Sequence, residues 1–291
     1  MLGIILVFCG LISSITSFLI LKKFLNPNTK TNAVFYSALI NLVGGICAII
    51  AYSATSFNLH DFTYLTNPHL LLLLAIDIAL WTISVLIYYP ALQKTPASEA
   101  TIFTGIQGIA ALVSGVIIQT EIFSFSRLLG CIFVLIALFL VMFKKKQWRL
   151  NTPTLLLALA IMIFGIASTF DNAIVSQKTI NVFFFEIFNF GLTGIFVLAS
   201  TKNLPKELFT ITKNKRMLIY AWFNGMFNFI TFIFIYNAYK LHVTASQSTT
   251  ILATESIFIV LFAAIFLKER DHVGKKILAA VIVAIGIYLL K

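Results

Sequence analysis

Long apolar runs alternate with short polar breaks along the whole chain. Read between those breaks, the runs predict ten spans at approximately 2–21, 33–54, 69–91, 97–118, 127–143, 153–176, 181–200, 217–239, 245–267 and 273–290. A helix needs roughly 17–25 apolar residues to cross about 30 Å of hydrocarbon, and these runs fit that length. A membrane β-barrel would show period-two alternation over about ten residues, and none is visible. The two longest connections, 55–68 and 201–216, are too short to be domains. The pattern therefore predicts an all-α polytopic membrane protein, with no soluble module for a nucleotide, a nucleic acid or a catalytic centre. The first run has no basic stretch before it and no small-residue cleavage site after it, so it reads as a span rather than a signal peptide.

Composition agrees with the pattern. The chain is 60% hydrophobic and 11% charged, with a mean hydropathy of +0.99; soluble domains carry about 25% charged residues. Cys9, Cys47 and Cys131 lie singly within apolar runs, which favours small packing residues over a metal or disulfide framework.

Charge adds orientation. Of the 21 lysines and arginines, seventeen fall in the loops after spans 1, 3, 5, 7 and 9, and only Arg127, Lys178, Lys240 and Lys291 lie on the other face. The positive-inside rule puts the first group in the cytoplasm and both termini outside. Spread over five short loops, these residues do not form a nucleic-acid patch.

The chain also contains itself twice. Shifted by 148 residues, "FYSALINLVGGI" (35–46) lies over "FFFEIFNFGLTG" (183–194), and Asn41 meets Asn189. The same shift places Tyr88 on Tyr236, Ala97-Ser98 on Ala245-Ser246, Gln107 on Glu255 and Glu121 on Glu269. The first spans align at a shift of 155, Gly10 over Gly165 and Ser13 over Ser168. Five spans per half is an odd number, so the second half enters the membrane inverted. The predicted architecture is two inverted five-helix repeats, 1–148 and 149–291, a plan used by secondary transporters with a midplane site.

At the end of each half, small-residue starts ("TPASEA", "VTASQS") lead into "GIQGIAALVSGVIIQTE" and "ATESIFIVLFAAIFLKE", and closing spans with Gly130 and Gly286 follow. In these features the chain resembles the EamA-like ten-span group of the drug/metabolite transporter (DMT) superfamily, over nearly its whole length. Members often carry Glu-Pro where this chain has Glu255-Ser256 and Gln107-Gly108, so a kink there lacks its usual proline. Gly130 and Gly286 face Leu278 and Leu138 in the other half rather than glycine. Members usually place their termini in the cytoplasm, against the lysine count here. The resemblance implies a secondary transporter of a small organic solute, with a cavity lined mainly by spans 1, 3, 4, 6, 8 and 9. It implies no cofactor, and a P-loop is absent from the sequence.

Within the spans the acids outnumber the bases. Asp77, Glu99, Asp171, Glu186 and Glu255 lie in or at the edge of spans, with no lysine or arginine comparably deep. Charges at such depth are costly unless paired, protonated or in a polar path. An acidic cavity suits an amine, a quaternary ammonium or exchanging protons. Trp81, Tyr88, Trp222 and Tyr236 could form a cation-binding aromatic wall.

The candidate substrate-binding residues are therefore Glu255, Asp77, Trp81, Tyr88, Asp171, Trp222 and Tyr236, with Glu255 and Asp77 also candidates for proton coupling. Each has a structural alternative. Glu255 could instead bond a neighbouring helix. Asp77 shares a helix face with Trp81. Asp171-Asn172 is expected to break or cap span 6, Glu99 to sit at a helix start, and Glu186 to pair with another helix. Asn41 and Asn189 are explained by hydrogen bonding between helices.

The expected function is movement of a small cationic or zwitterionic metabolite by alternating access, with proton coupling open. Alternatives are a broad amino-acid or drug exporter and a lipid-linked flippase. An intramembrane enzyme lacks a catalytic constellation. The expected partners are a small-molecule substrate and the lipid bilayer, with no nucleic acid and with a homodimer compatible with the sequence but not implied by it. The expected location is a bacterial cytoplasmic membrane.

Overall fold

A computed structural model describes residues 1–25, 32–55, 57–95, 100, 103–142, 152–177, 180–213, 215–255, 257–258 and 273–289. These residues form helices α1 (Leu2–Phe24), α2 (Ala33–Thr55), α3 (Pro68–Lys94), α4 (Thr104–Ile117), α5 (Phe125–Met142), α6 (Thr152–Val175), α7 (Val182–Ala199), α8 (Leu204–Lys213), α9 (Lys215–Lys240), α10 (Ala245–Ala253) and α11 (Val273–Leu289), with a 3-10 turn at Leu59–Thr66 before α3. Among the described residues there is no strand.

Six helices, α1, α2, α3, α6, α7 and α9, are long and apolar enough to cross a bilayer, and shorter apolar stretches lie at Thr104–Ile117 and Phe125–Ala137. Much of the expected start of span 4, the second half of span 9, Glu99 and Glu269 lie outside the described residues.

The polar breaks act as caps. Asn67 accepts hydrogen bonds from the His69 and Leu70 N–H groups, with Pro68 opening α3. Asn181 does the same for Phe183 and Phe184 at the start of α7. Asn32 serves Val34 and Phe35 at the start of α2. Thr244 and Gln247 form a reciprocal capping box on α10. In a chain this apolar, these few side chains mark where each helix begins.

Packing follows a two-fold pattern. α1 lies along α9 and α3 along α6, α2 pairs with α7, α4 with α10, and α5 with α11. Exchanging the two halves maps this set of pairs onto itself. Small residues permit the α2–α7 crossing: a side chain on Gly45 would come within 3.0 Å of the Gly191 Cα. Between α1 and α9, polar groups join the backbones. Ser13 donates to the Phe227 carbonyl at 2.7 Å, and Ser17 meets Asn224 and Asn228 at 3.0 and 2.9 Å.

Large apolar side chains such as Ile12 (68% exposed) and Ile117 (73%) stand on the outside, while Asp77, Asp171 and Glu186 are fully buried. This inside-out distribution is what lipid solvent selects. The chain is an integral membrane protein.

Two expectations about helix breaks are corrected. Asp171-Asn172 do not interrupt their helix, because α6 continues through them to Val175. Instead α10 ends at Ala253, and the chain turns at Thr254 without any proline, the Thr254 hydroxyl bonding back to the Ile251 carbonyl at 2.6 Å. Ser248, Thr249 and Thr250 bond back to carbonyls of the preceding turn in the same way. Such back-bonding competes with the helical ladder and bends it. It delivers the chain to Glu255 one residue after the turn.

Candidate functional site

The interior has three polar regions stacked along the bundle. The central one is a cavity of about 180 Å³, lined by residues of α1, α2, α3, α4, α6, α7, α9 and α10 and by Glu255. Aromatic rings form part of its wall. The Trp81 ring meets Phe164 at 5.1 Å and stands edge-on to Phe232 at 5.3 Å; Tyr88 meets Phe164 at 5.2 Å, and Phe190 meets Phe232 at 5.4 Å. Glu255 lines the cavity, 8% exposed, and accepts a hydrogen bond from Ser14 Oγ at 2.6 Å. Gln107, its repeat mate, lines the same space together with Asn41, Asn189 and Asn228. Among the described residues that line this cavity, Glu255 is the one formal charge, and none is basic.

Behind Trp81 and Asn189 lies the second region. Asn189 Nδ2 donates to Asp171 Oδ1 at 2.9 Å and to Asp77 Oδ2 at 3.1 Å, and the Tyr236 hydroxyl lies 3.4 Å from the same nitrogen. Trp81 Nε1 is shared between both Asp171 oxygens at 3.3 Å. Both oxygens of Asp171 thus have donors, whereas Asp77 Oδ1 has no hydrogen-bond partner. Glu186 is buried close by on α7 with both carboxyl oxygens unpartnered. The pairing expected for Glu186 is therefore not found.

A polar vestibule of about 530 Å³ forms the third region, at the face where α3 and α10 begin and α4, α6 and α9 end. His69, Gln119, Asn172, Ser176, Gln177 and His242 are among its lining residues. Gln119 and His242 adopt left-handed backbone conformations, φ 61° and 64°, in the turns that close this face. Leu73, Phe170 and Tyr239 line the vestibule floor.

The sequence candidates separate into groups. Glu255, Trp81 and Tyr88 line the cavity. Asp77, Asp171 and Tyr236 come together in the buried cluster, with Trp81 bridging cluster and cavity. Trp222 is 42% exposed and is not among the cavity-lining residues. At its place in the expected aromatic wall stands Phe232, ten residues and about 15 Å further along α9. Sequence reasoning missed Asn189 as the centre of the cluster, as well as Ser14, Phe164 and Phe232. Helical spacing carried part of that signal: Phe164 lies two turns before Asp171, and Phe232 one turn before Tyr236.

Fold and site together define a polytopic helical membrane protein with a polar, partly aromatic cavity in its interior. The profile of the EamA-like transporter family matches residues 1–143 and again 152–291. The chain belongs to that family, within the DMT superfamily. No curated protein matches it in sequence. Among 28 matching chains of solved structures, one described only as "Crystal structure of protein" is similar in fold, with a TM-score of 0.68 at 13% identity over 99% of this chain and 95% of that one.

Proposed function

We propose that this protein is a secondary transporter for a small organic cation or zwitterion (an amine, amino acid or quaternary ammonium compound), working by alternating access between two inverted five-helix repeats. The supporting observation is the cavity: aromatic rings on several sides, one carboxylate and, among the described lining residues, no base. Aromatic faces attract cations, most strongly when desolvated, and a buried carboxylate supplies the counter-charge. Glu255 is the substrate anchor, Ser14 holds its carboxylate in place, and Trp81, Tyr88, Phe164 and Phe232 form the wall.

Size favours this reading over the drug-exporter and flippase alternatives. Sites for drug-sized ligands run to roughly 300–1,000 Å³, well above this cavity's volume of about 180 Å³. The lysine distribution supports a reading in which both termini lie outside a bacterial cytoplasmic membrane.

The test is thermal stabilisation of the purified protein by a panel of amines, amino acids, choline-like cations and organic anions, with Glu255→Gln alongside. The expected result is stabilisation by one group of cations or zwitterions that disappears in Glu255→Gln. Stabilisation by anions, or by cations equally in both proteins, would sink the proposal.

A further inference from the structure

The carboxylate pair behind the cavity is built unlike the cavity itself. Asp171 receives donors on both oxygens, from Trp81 and Asn189. Asp77, fully buried, receives one bond on Oδ2 from the same Asn189 nitrogen and leaves Oδ1 unpartnered. Two carboxylates facing a single amide in an apolar interior cannot both remain charged without a counter-ion. The amide and indole N–H groups point at the pair, which suits a proton better than a metal cation.

Position supports a coupling role. On α3, Leu73 lines the vestibule, Asp77 the cluster and Trp81 the cavity, one helical turn apart. On α9 the same order runs Tyr239, Tyr236, Phe232. The pair thus stands between the two polar spaces. It also breaks the repeat: the mates of Asp77, Asp171 and Glu186 are Gly225, Thr16 and Ala38, although the scaffold around them is two-fold.

We infer that Asp77 and Asp171 form the proton-coupling site, separate from the Glu255 cavity, with the exchangeable proton on Asp77 and loaded from the vestibule. This rests on the cation-transport reading above. The titratable groups facing the pair are Glu186 on α7 and Tyr236 and Tyr239 on α9; among the described residues no lysine, arginine or histidine joins them. When a substrate cation enters the cavity against Trp81 and Asn189, its charge stabilises a second carboxylate. The Asp77 O–H bond then breaks, and the proton leaves to water. The reverse step takes a proton from water as the cation departs. No other bond changes.

Trp81 is a built-in reporter, because its indole N–H is bonded to Asp171. In a background with Trp148→Phe and Trp222→Phe, Trp81 is the last of the three tryptophans. Its emission, followed against pH in detergent, is expected to show one titration that is lost in Asp77→Asn and kept in Glu255→Gln. Asp77→Glu keeps a titration with a shifted midpoint, and this guards against a merely misfolded Asn variant.

A flat wild-type profile would overturn the proposal. So would a titration that survives in Asp77→Asn and vanishes in Glu255→Gln, or a midpoint that moves when potassium chloride replaces sodium chloride, which would assign the pair to sodium. Failure of the cation panel with the Trp81 titration intact would sink the substrate reading and leave the proton site standing.

Discussion

Glu121 and Glu255 have the same side chain and opposite work. Glu121, 6% exposed, accepts from the Ser246 N–H at 2.9 Å and from the Ser246 hydroxyl, with Arg127 Nη1 at 3.7 Å. It anchors the start of α10 to the turn after α4, holding one half to the other. Bonds to a charged acceptor are worth about 1.5–3 kcal/mol each when lost. Glu121→Ala is therefore expected to lower stability by about 2–3 kcal/mol, and Glu121→Gln by less, as read by denaturant unfolding in detergent, with cation stabilisation retained at lower temperature. Equal stability of Glu121→Ala and wild type would remove this anchoring role. The sequence marked Glu121 as a repeat mate of Glu269 but could not show that its partner is the backbone of the other half. It did point to Glu255, Trp81 and Tyr88, because depth in a span and repeat register are both written in one dimension. Which side of a helix faces a cavity is not. Trp222 and Phe232 lie on one apolar helix, and only packing against α3 and α6 decides which ring enters the cavity.

Lysines close the two ends of the bundle in mirrored fashion. Lys22, at the end of α1, donates to the Leu92 and Thr95 carbonyls at 2.9 and 3.0 Å, beyond Pro90 at the end of α3. On the opposite face Lys240, at the end of α9, donates to the Ile180 carbonyl ahead of α7. Lys22 joins the ends of α1 and α3 at one face, and Lys240 joins the end of α9 to the chain ahead of α7 at the other, so each is placed to act as a latch for its face. Lys22→Met keeps the side-chain length and removes both bonds. With the three native cysteines replaced by alanine, the reactivity of Thr104→Cys, a cavity position, toward a membrane-impermeant maleimide added on the Lys22 face should rise several-fold in Lys22→Met. It should stay unchanged in Lys240→Met. Equal reactivity in all three backgrounds would show that Lys22 does not hold that face closed. The helices and their caps were legible from apolar run length and from Asn32, Asn67, Asn181 and Thr244. The turn at Thr254 was not, because its cause is a series of hydroxyls bonding back along α10 rather than a proline.

Taken whole, the molecule sets an asymmetric chemistry on a two-fold scaffold. Gly10 and Gly165, the asparagine caps of α2 and α7, and the Asn41/Asn189 and Tyr88/Tyr236 pairs recur in both halves, whereas the four acids of the interior align with Gly225, Thr16, Ala38 and Gln107. In the proposed cycle the symmetric scaffold would supply two alternating conformations, and the asymmetric set of charges would couple them to the proton. The side from which the pair is loaded depends on which face meets the cytoplasm. In the sequence, seventeen basic residues fall in the loops after spans 1, 3, 5, 7 and 9 and four elsewhere, and the rule that cytoplasmic loops hold the excess of lysine and arginine predicts that the vestibule and both chain ends lie outside. Reporter fusions at the C-terminus check this directly: alkaline phosphatase should be active and green fluorescent protein dark. A dark phosphatase fusion with a bright fluorescent one would put the vestibule in the cytoplasm. The carboxylate pair would then be loaded from the cytoplasmic side, while the exchange of cation for proton would be unchanged, so that an inward proton gradient would still favour export of the cation.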